Sequence, residues 1–176
     1  MNCVMVDIET LATAPDACIL TIAAQQFDPF DIVPYDNLRS YYCKIDTQSQ
    51  ADRSIEDGTV EWWSKQADAV REEAFGEEDR IPLDQALDEL GRLIWQSEFL
   101  WANGPTFDMT ILEHAYKSYS KSLPWKYYRV RDARTVFGLY PDLPKPPVSH
   151  HALEDCRRQI ELLQTAFIQL GITQLR

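Results

Sequence analysis

Residues 2–10 of the chain, NCVMVDIET, combine a hydrophobic strand with two acids at its end. The part rich in Val and Met predicts a β-strand over residues 2–8. Asp7 and Glu9 are two positions apart, so both side chains extend from one face, with their carboxylates within reach of a single cation. Acid pairs are also common at solvated strand ends. On this stretch alone, a metal site and a solvated strand end both stay open.

Two further strands follow the first along the chain. Residues 18–27 (CILTIAAQQF) and 40–45 (SYYCKI) have the composition of strands, and turn residues such as those at 28–31 lie between them. Consecutive strands with short connections favour antiparallel pairing. The N-terminal part of the chain is therefore predicted to begin a sheet with antiparallel neighbours.

Helical segments dominate the rest of the chain. Apolar residues recur with the helical period over 83–95 and in a final helix that begins near Ala152 and stops at Gly171. Further helices are predicted over 59–65, 68–75, 106–119 and 132–139, with a short strand over 99–102. This order predicts a mixed α/β architecture, which we assign to a single domain over residues 1–176.

The charge of the chain bears on its substrate. A net charge of −11, from 28 acidic and 17 basic residues, argues against binding of polyanions, which draws on clustered Lys and Arg. Residues 46–98 hold 15 acids against 5 bases, whereas residues 117–158 hold 9 bases against 4 acids, which predicts a basic surface on an acidic body. Carboxylates that bind cations also count as negative charge. The acidity is therefore compatible with a nucleic-acid substrate.

Composition and the N-terminal residues favour a cytoplasmic protein. Hydrophobic residues make up 45% and charged residues 26%, the usual globular mixture. Apolar runs fall short of the ~18 residues that cross a bilayer, and a basic secretory segment is lacking, so we expect neither a membrane anchor nor export. The cysteines, Cys3, Cys18, Cys43 and Cys156, lack zinc-like spacing and are expected to be free thiols in a reducing compartment.

Two later acids occupy comparable positions near helix starts. Asp108 lies in WANGPTFDMTIL, where a strand passes through a Gly-Pro loop into a helix, and Asp155 lies one turn into the last helix, in SHHALEDCRR. Acids near a helix N-terminus are favoured by its unpaired amides and dipole. Each acid alone therefore also fits a capping role.

Taken together, the three acidic motifs resemble those of the DEDD exonuclease superfamily, in its DEDDh branch. The motifs are DIET at 7–10, NGPTFD at 103–108 and HHALED at 150–155, and they span nearly the whole chain in the family's order. The sequences WWSKQ at 62–66 and RDART at 131–135 are similar to a small bacterial and phage subgroup. That subgroup includes RNase AS-like exoribonucleases and phage exonuclease A.

The resemblance implies a fold and a metal site. The family has an RNase H-like fold, a mixed five-stranded sheet with the third strand antiparallel and helices on both faces. Its carboxylates hold two divalent ions, Mg²⁺ or Mn²⁺, which prefer oxygen ligands. By motif position, Asp7 is expected to bridge both ions. Glu9 and Asp155 would complete the site of the nucleophile-side ion, and Asp108 would serve the second ion.

The resemblance also implies a general base. His150 lies five positions before Asp155 and is expected to take the proton from the attacking water, work that suits an imidazole near neutral pH. The next residue, His151, is the alternative, placed at the first turn of the helix. His114 is expected to be structural.

Substrate contacts follow from the same motifs. The resemblance implies contacts from Thr10, Leu11, Trp62, Asn103 and Phe107. Whether Trp62 or Trp63 stacks on a base is open, since at least one is expected in the core. Lys65 and Gln66 would reach the phosphate or base. Arg129, Arg131 and Arg134 would contact phosphates or form salt bridges with the acidic body.

These expectations amount to a metal-dependent 3′→5′ exonuclease that hydrolyses single-stranded RNA or DNA to nucleoside 5′-monophosphates. The choice between RNA and DNA stays open. A catalytically silent nucleic-acid-binding module of the same fold is the alternative, although all four acids and the His are present. An acidic structural protein with chance motif matches is a third interpretation. Relatives often form homodimers, but the sequence shows no interface.

Overall fold

A computed structural model describes residues 1–144 and 149–175 of the chain. The strands are β1 (Cys3–Thr10), β2 (Ile19–Phe27), β3 (Ser40–Ile45), β4 (Arg80–Ile81), β5 (Phe99–Ala102) and β6 (Val130–Asp132). The helices are α1 (Asp57–Ser64), α2 (Asp68–Phe75), α3 (Leu83–Ile94), α4 (Pro105–Ser118), α5 (Ala133–Leu139) and α6 (Ala152–Leu170). Among these residues, no helix is both long enough and apolar enough to cross a membrane.

The sheet has the strand order β4-β3-β2-β1-β5-β6. β2 is antiparallel to both of its neighbours, whereas the β1–β5, β5–β6 and β3–β4 pairs are parallel. The expectation of five strands was wrong, because the described residues form six. β4 and β6 have two and three residues, too short to produce a periodic pattern. The antiparallel strand is also the second along the chain, not the third.

Strand β1 divides the core into two layers. Val4, Val6 and Ile8 face a cluster that contains apolar residues of α3 and α4. Cys3 and Met5 face the opposite cluster, which contains residues of α5 and α6. Helices therefore cover both faces, as predicted. By the alternation of a strand, Asp7 points to the same face as Cys3 and Met5, toward α6.

Asp7 and Glu9 lie near the C-terminal end of β1, where the strand is still paired in the sheet. The predicted strand ended at residue 8, but β1 continues to Thr10, and Glu9 pairs with Thr21 before the register shifts between Glu9 and Thr10. Buried Gln50 holds the paired strand at this point, since its side chain bonds both the N–H and the carbonyl of Ile19. The backbone of β2 next to the acid-bearing end of β1 is therefore fixed by this pair of hydrogen bonds.

Candidate active site

Asp7 is held from α6. The Nε2 of Gln159 donates a hydrogen bond to Asp7 Oδ1 at 2.8 Å. Burial raises the pKa of Asp7, and the nearby charge of Asp155 raises it further, against the opposing effect of the Gln159 bond. Asp7 is half-buried, and its surroundings disfavour its ionised form.

Asp108 joins the second motif to the first strand. It lies in the first turn of α4, is 5% exposed, and its Oδ1 accepts a hydrogen bond from the N–H of Ile8 at 3.2 Å. Burial is the main cause that raises the pKa of Asp108 well above its ordinary value, and the charge of Asp7 raises it further. Gly104, just before α4, has a φ of 103°, a conformation that favours glycine.

Asp155 organises the third motif. Its Oδ1 accepts hydrogen bonds from the Oγ and N–H of Ser149 at 2.8 and 3.2 Å, and its Oδ2 accepts one from the N–H of His150 at 3.1 Å. The guanidinium of Arg158 lies 2.7 Å from Asp155 Oδ1. The Asp155 carboxylate thus links the first turn of α6 to Ser149 and His150, which precede the helix.

His150 is brought to two of the acids. Ligand atoms of Glu9, His150 and Asp155 all lie within 4.8 Å of one another, an arrangement that could hold a metal ion. The backbone of His150 has a φ of 56°, uncommon for a residue with a side chain and often found at functional sites. Burial raises the pKa of Glu9 to about 9, together with the charges of the other three acids.

His151 has different partners. Its ring stacks on Tyr42 with 4.6 Å between ring centroids, and its Nε2 lies 3.8 Å from Glu73 Oε1. Tyr42 in turn donates a hydrogen bond of 2.5 Å to Glu73. Of the two histidines, the structure therefore places His150, and not His151, in the group with Glu9 and Asp155.

A first cavity of about 290 Å³ opens beside Glu9. Its lining residues are Glu9, Thr10, Thr13, Gly58, Thr59, Trp62, Trp63 and Phe107. Trp62 is 42% exposed, whereas Trp63 is 2% exposed and donates its Nε1–H to the carbonyl of Thr10 at 2.8 Å. Trp63 is therefore a core residue that also borders the cavity, and Trp62 is the exposed member of the pair.

Two of the expected substrate contacts lie outside this first cavity. Leu11 is buried in a cluster with Cys18, Leu20, Trp63 and Ala74. Asn103 lines a second cavity of about 660 Å³, and Arg134 bonds both its side chain and its carbonyl. The structure thus brings Thr10, Trp62 and Phe107 to Glu9 but not Leu11 or Asn103.

The other expected contacts are engaged locally. Lys65 pairs with Glu61, and the Gln66 amide donates to the carbonyl of Trp62, both within or next to α1. Arg129 bonds the Ser97 carbonyl. The guanidinium of Arg131 lies 4.1 Å from the ring centroid of Phe99. The Nδ1 of His114 lies 3.3 Å from Nη1 of Arg53.

Residues 2–167 match the sequence profile described as the 3′-5′ exoribonuclease Rv2179c-like domain. The chain belongs to the Rv2179c-like exoribonuclease domain family. This membership confirms the predicted resemblance to 3′-5′ exoribonuclease domains. No curated protein matches the chain by sequence.

Solved nuclease structures share the fold of this Rv2179c-like domain. The zinc-bound E. coli ExoI–ssDNA complex aligns with a TM-score of 0.68 and 16% identity over 97% of this chain and 41% of that chain. Pop2p of S. pombe, bound to Mg²⁺ and Mn²⁺, aligns with a TM-score of 0.67 and 12% identity over 99% of this chain and 86% of that chain. The nuclease domain of 3′hExo, a DEDDh family member bound to rAMP, aligns with a TM-score of 0.56 and 12% identity. The alignment covers 97% of this chain and 92% of that chain.

These likenesses confirm the predicted RNase H-like fold. The chain spans about two fifths of the length of ExoI.

The Rv2179c-like domain offers a donor set that suits hard divalent cations. Its four motif carboxylates supply oxygen ligands, which Mg²⁺ and Mn²⁺ prefer. Burial, followed by the charges of neighbouring acids, raises the pKa values of Asp7, Glu9 and Asp108. Bound cations would relieve both costs. The residues present therefore fit the divalent ions that the resemblance implies.

Three site residues escaped the sequence reasoning. Arg158 and Gln159 lie three and four positions after Asp155, the spacing that puts them on its face of a helix, so the periodicity of α6 carried a usable signal. Ser149 bonds Asp155 from outside the helix. A single serine before a histidine carries no sequence signal of this kind.

Glu9→Gln is expected to stabilise the metal-free protein increasingly between about pH 4.5 and pH 9. Below this range, the Glu9 carboxyl is neutral in both folded and unfolded chains. Within the range, the unfolded chain loses the proton while the folded site keeps it, so the wild-type free energy of unfolding falls as the pH rises. The variant lacks this fall, so its gain should grow by about 1.4 kcal/mol for each pH unit across the range.

Urea unfolding in EDTA at pH 5 and pH 9 measures this difference. The exposed substitution Glu78→Gln controls for the loss of one negative charge. A gain for Glu9→Gln that is equal at both pH values would contradict the account.

Proposed function

We propose that this chain is a divalent-metal-dependent 3′→5′ exonuclease domain, spanning residues 1–176, that releases nucleoside 5′-monophosphates from single-stranded nucleic acid. The observation that carries the proposal is the grouping of Glu9, His150 and Asp155 within 4.8 Å. The description of the family, 3′-5′ exoribonuclease, supports the same direction of attack. It also favours RNA over DNA as the substrate.

Asp7, Glu9, Asp108 and Asp155 would hold two Mg²⁺ or Mn²⁺ ions, as expected for the superfamily. Such ions lower the pKa of a water nucleophile and stabilise the leaving oxygen. Pop2p, which shares the fold, was solved with Mg²⁺ and Mn²⁺. In this chain, Gln159 and the N–H of Ile8 orient Asp7 and Asp108, so the carboxylates are positioned before any ion binds.

His150 would act as the general base. Its imidazole takes the proton of the water whose oxygen attacks the phosphorus, and the 3′ oxygen of the preceding nucleotide departs. The edge of the Trp62 ring system meets the His150 ring at 5.0 Å between centroids, and Asp155 bonds the His150 N–H. These contacts hold the imidazole beside Glu9.

The first cavity would bind the terminal nucleotide. Trp62 offers an exposed indole for stacking on the base, and Thr10 and Phe107 form the adjoining walls. ExoI was solved with single-stranded DNA and 3′hExo with rAMP, which supports a nucleic-acid substrate for this fold.

Cleavage of 5′-labelled single-stranded RNA and DNA of one sequence tests the proposal. With Mg²⁺ or Mn²⁺, we expect a ladder that shortens from the 3′ end, faster for RNA, and no cleavage in EDTA. His150→Ala should lower the rate by about 10²–10⁴-fold because the proton acceptor is lost. The adjacent His151→Ala is the matched control and should lose far less. Binding of both nucleic acids without cleavage would favour the silent binding module instead.

Trp62→Ala should raise KM by about 5- to 150-fold, the scale of ~1–3 kcal/mol for a stacked base. Trp62→Phe, which keeps an aromatic face, should restore part of the affinity. Trp95, 71% exposed and remote from the first cavity, supplies the control Trp95→Ala. Steady-state kinetics on the labelled oligonucleotide measure the effect. Equal KM values for Trp62→Ala and Trp95→Ala would remove Trp62 from the substrate site.

A further inference from the structure

An exposed aromatic and basic surface lies at the edge of the sheet formed by β6. It consists of Lys126, Tyr127, Tyr128 and Arg129, all of them exposed, in a short turn directly before the strand. The ring of Tyr127 is 88% exposed and that of Tyr128 59%, and the two meet edge to face with 5.5 Å between centroids. We call these four residues the edge surface.

The backbone of the edge surface is held to the sheet. Arg129 donates a hydrogen bond to the carbonyl of Ser97 at 3.2 Å. Arg131 Nη1 donates to the carbonyl of Tyr128 at 2.7 Å, and its guanidinium lies over the ring of Phe99. The tyrosine rings are therefore exposed on a turn that is already ordered, which lowers the entropic cost of binding a ligand.

Charge distinguishes this edge from the rest of the protein. Residues 126–134 hold four cations and one acid, in a chain with a net charge of −11. The acid, Asp132, caps α5 by accepting hydrogen bonds from the N–H of Arg134 and the hydroxyl of Thr135. Within the described part of the chain, Lys126 makes no ion pair. The edge surface is therefore complementary in charge to a polyanion.

The exposed rings decide between two interpretations of these cations. Lys and Arg at a sheet edge also prevent the edges of two molecules from pairing. Two exposed tyrosines do not serve that purpose, because apolar surface at an edge favours association. Aromatic rings that stack on bases, next to cations that contact phosphates, are instead the combination that binds single-stranded nucleic acid.

Strand β6 connects the edge surface to the catalytic acids. Because β1, β5 and β6 are parallel, their C-terminal ends lie at the edge of the sheet that carries Asp7 and Glu9. At that end of β6, Arg134 bonds the carbonyl of Asn103, directly before the turn into α4. The edge surface lies at the other end of β6, which spans three residues or about 10 Å. A bound strand would follow β6 between the two.

We propose that the edge surface binds the body of a single-stranded substrate, several nucleotides to the 5′ side of the scissile bond. This proposal rests on the exonuclease function and deepens it, since it makes substrate length a determinant of affinity. Tyr127 and Tyr128 stack on bases there, and Lys126 and Arg129 contact phosphates. A dinucleotide is too short to reach this surface from the acids.

Steady-state kinetics on two RNA substrates test the proposal, one a dinucleotide and the other about 20 nucleotides long, above the ~4–16 nucleotides that one binding domain covers. Tyr127→Ala and Tyr128→Ala should raise KM for the longer RNA by about 5- to 150-fold and leave KM for the dinucleotide unchanged. Tyr127→Phe and Tyr128→Phe keep the rings and should restore the wild-type KM. Equal changes for both substrates, or no change for either, would overturn the proposal.

Binding of the longer RNA in EDTA, followed by fluorescence anisotropy, separates the edge surface from cleavage. Lys126→Gln should reduce the slope of log Kd against log salt concentration by about 0.7, the value for one phosphate contact on a single strand. The matched control is Arg71→Gln, which removes an exposed cation on α2, a helix that packs on β2, and should leave the slope unchanged. Equal slopes for the two variants would contradict a phosphate contact at Lys126.

Failure of the exonuclease function gives a different result. If the wild-type protein hydrolyses neither RNA, the exonuclease function is overturned, and the binding assay in EDTA still decides whether the edge surface holds a strand. If Tyr127→Ala dissociates a dimer in sedimentation analysis while RNA binding persists, the edge surface contacts a second copy of the chain and the proposal is overturned.

Discussion

Mutual repulsion among four carboxylates is the constraint on which the site depends. Asp7 and Glu9 lie on β1, Asp108 on α4 and Asp155 on α6. Burial raises the pKa values of the first three, and the charges of neighbouring acids raise them further. The fold offsets part of this cost with a glutamine amide, a backbone N–H and one arginine. A site that groups four carboxylates is suited to cations, which can activate a water nucleophile and stabilise a leaving oxygen in phosphodiester hydrolysis.

Secondary structure positions each of these acids through a different contact. Alternation along β1 directs Asp7 toward α6, and a hydrogen bond from Ile8 fixes Asp108 to the same strand. Asp155 bonds the backbone of Ser149 and His150, so the third motif is anchored by its own last residue. The stacked pair of Tyr42 and His151 occupies the neighbouring surface and leaves His150 at the acids.

The order of the acidic motifs along the sequence predicted the family, whereas the packing around the acids was not predicted. The spacing of Asp7 and Glu9 and the order of the three motifs identified the family and the central strand. β4 and β6 were missed because two or three residues carry no period. Leu11 was expected at the substrate but lies in the core, and the roles of Trp62 and Trp63 separated only when packing buried one indole. Such outcomes depend on tertiary contacts, which local patterns do not encode.

The most direct test of the central claim is a calorimetric titration of Mn²⁺ into the metal-free protein at pH 7, in two buffers with different ionisation enthalpies. Because the pKa of Glu9 is raised to about 9, cation binding should release protons, which makes the apparent enthalpy differ between buffers. Asp108→Asn should weaken binding, whereas the exposed Asp52→Asn should not. Binding without proton release, or with equal affinity in Asp108→Asn, would contradict a site built on mutually repelling carboxylates.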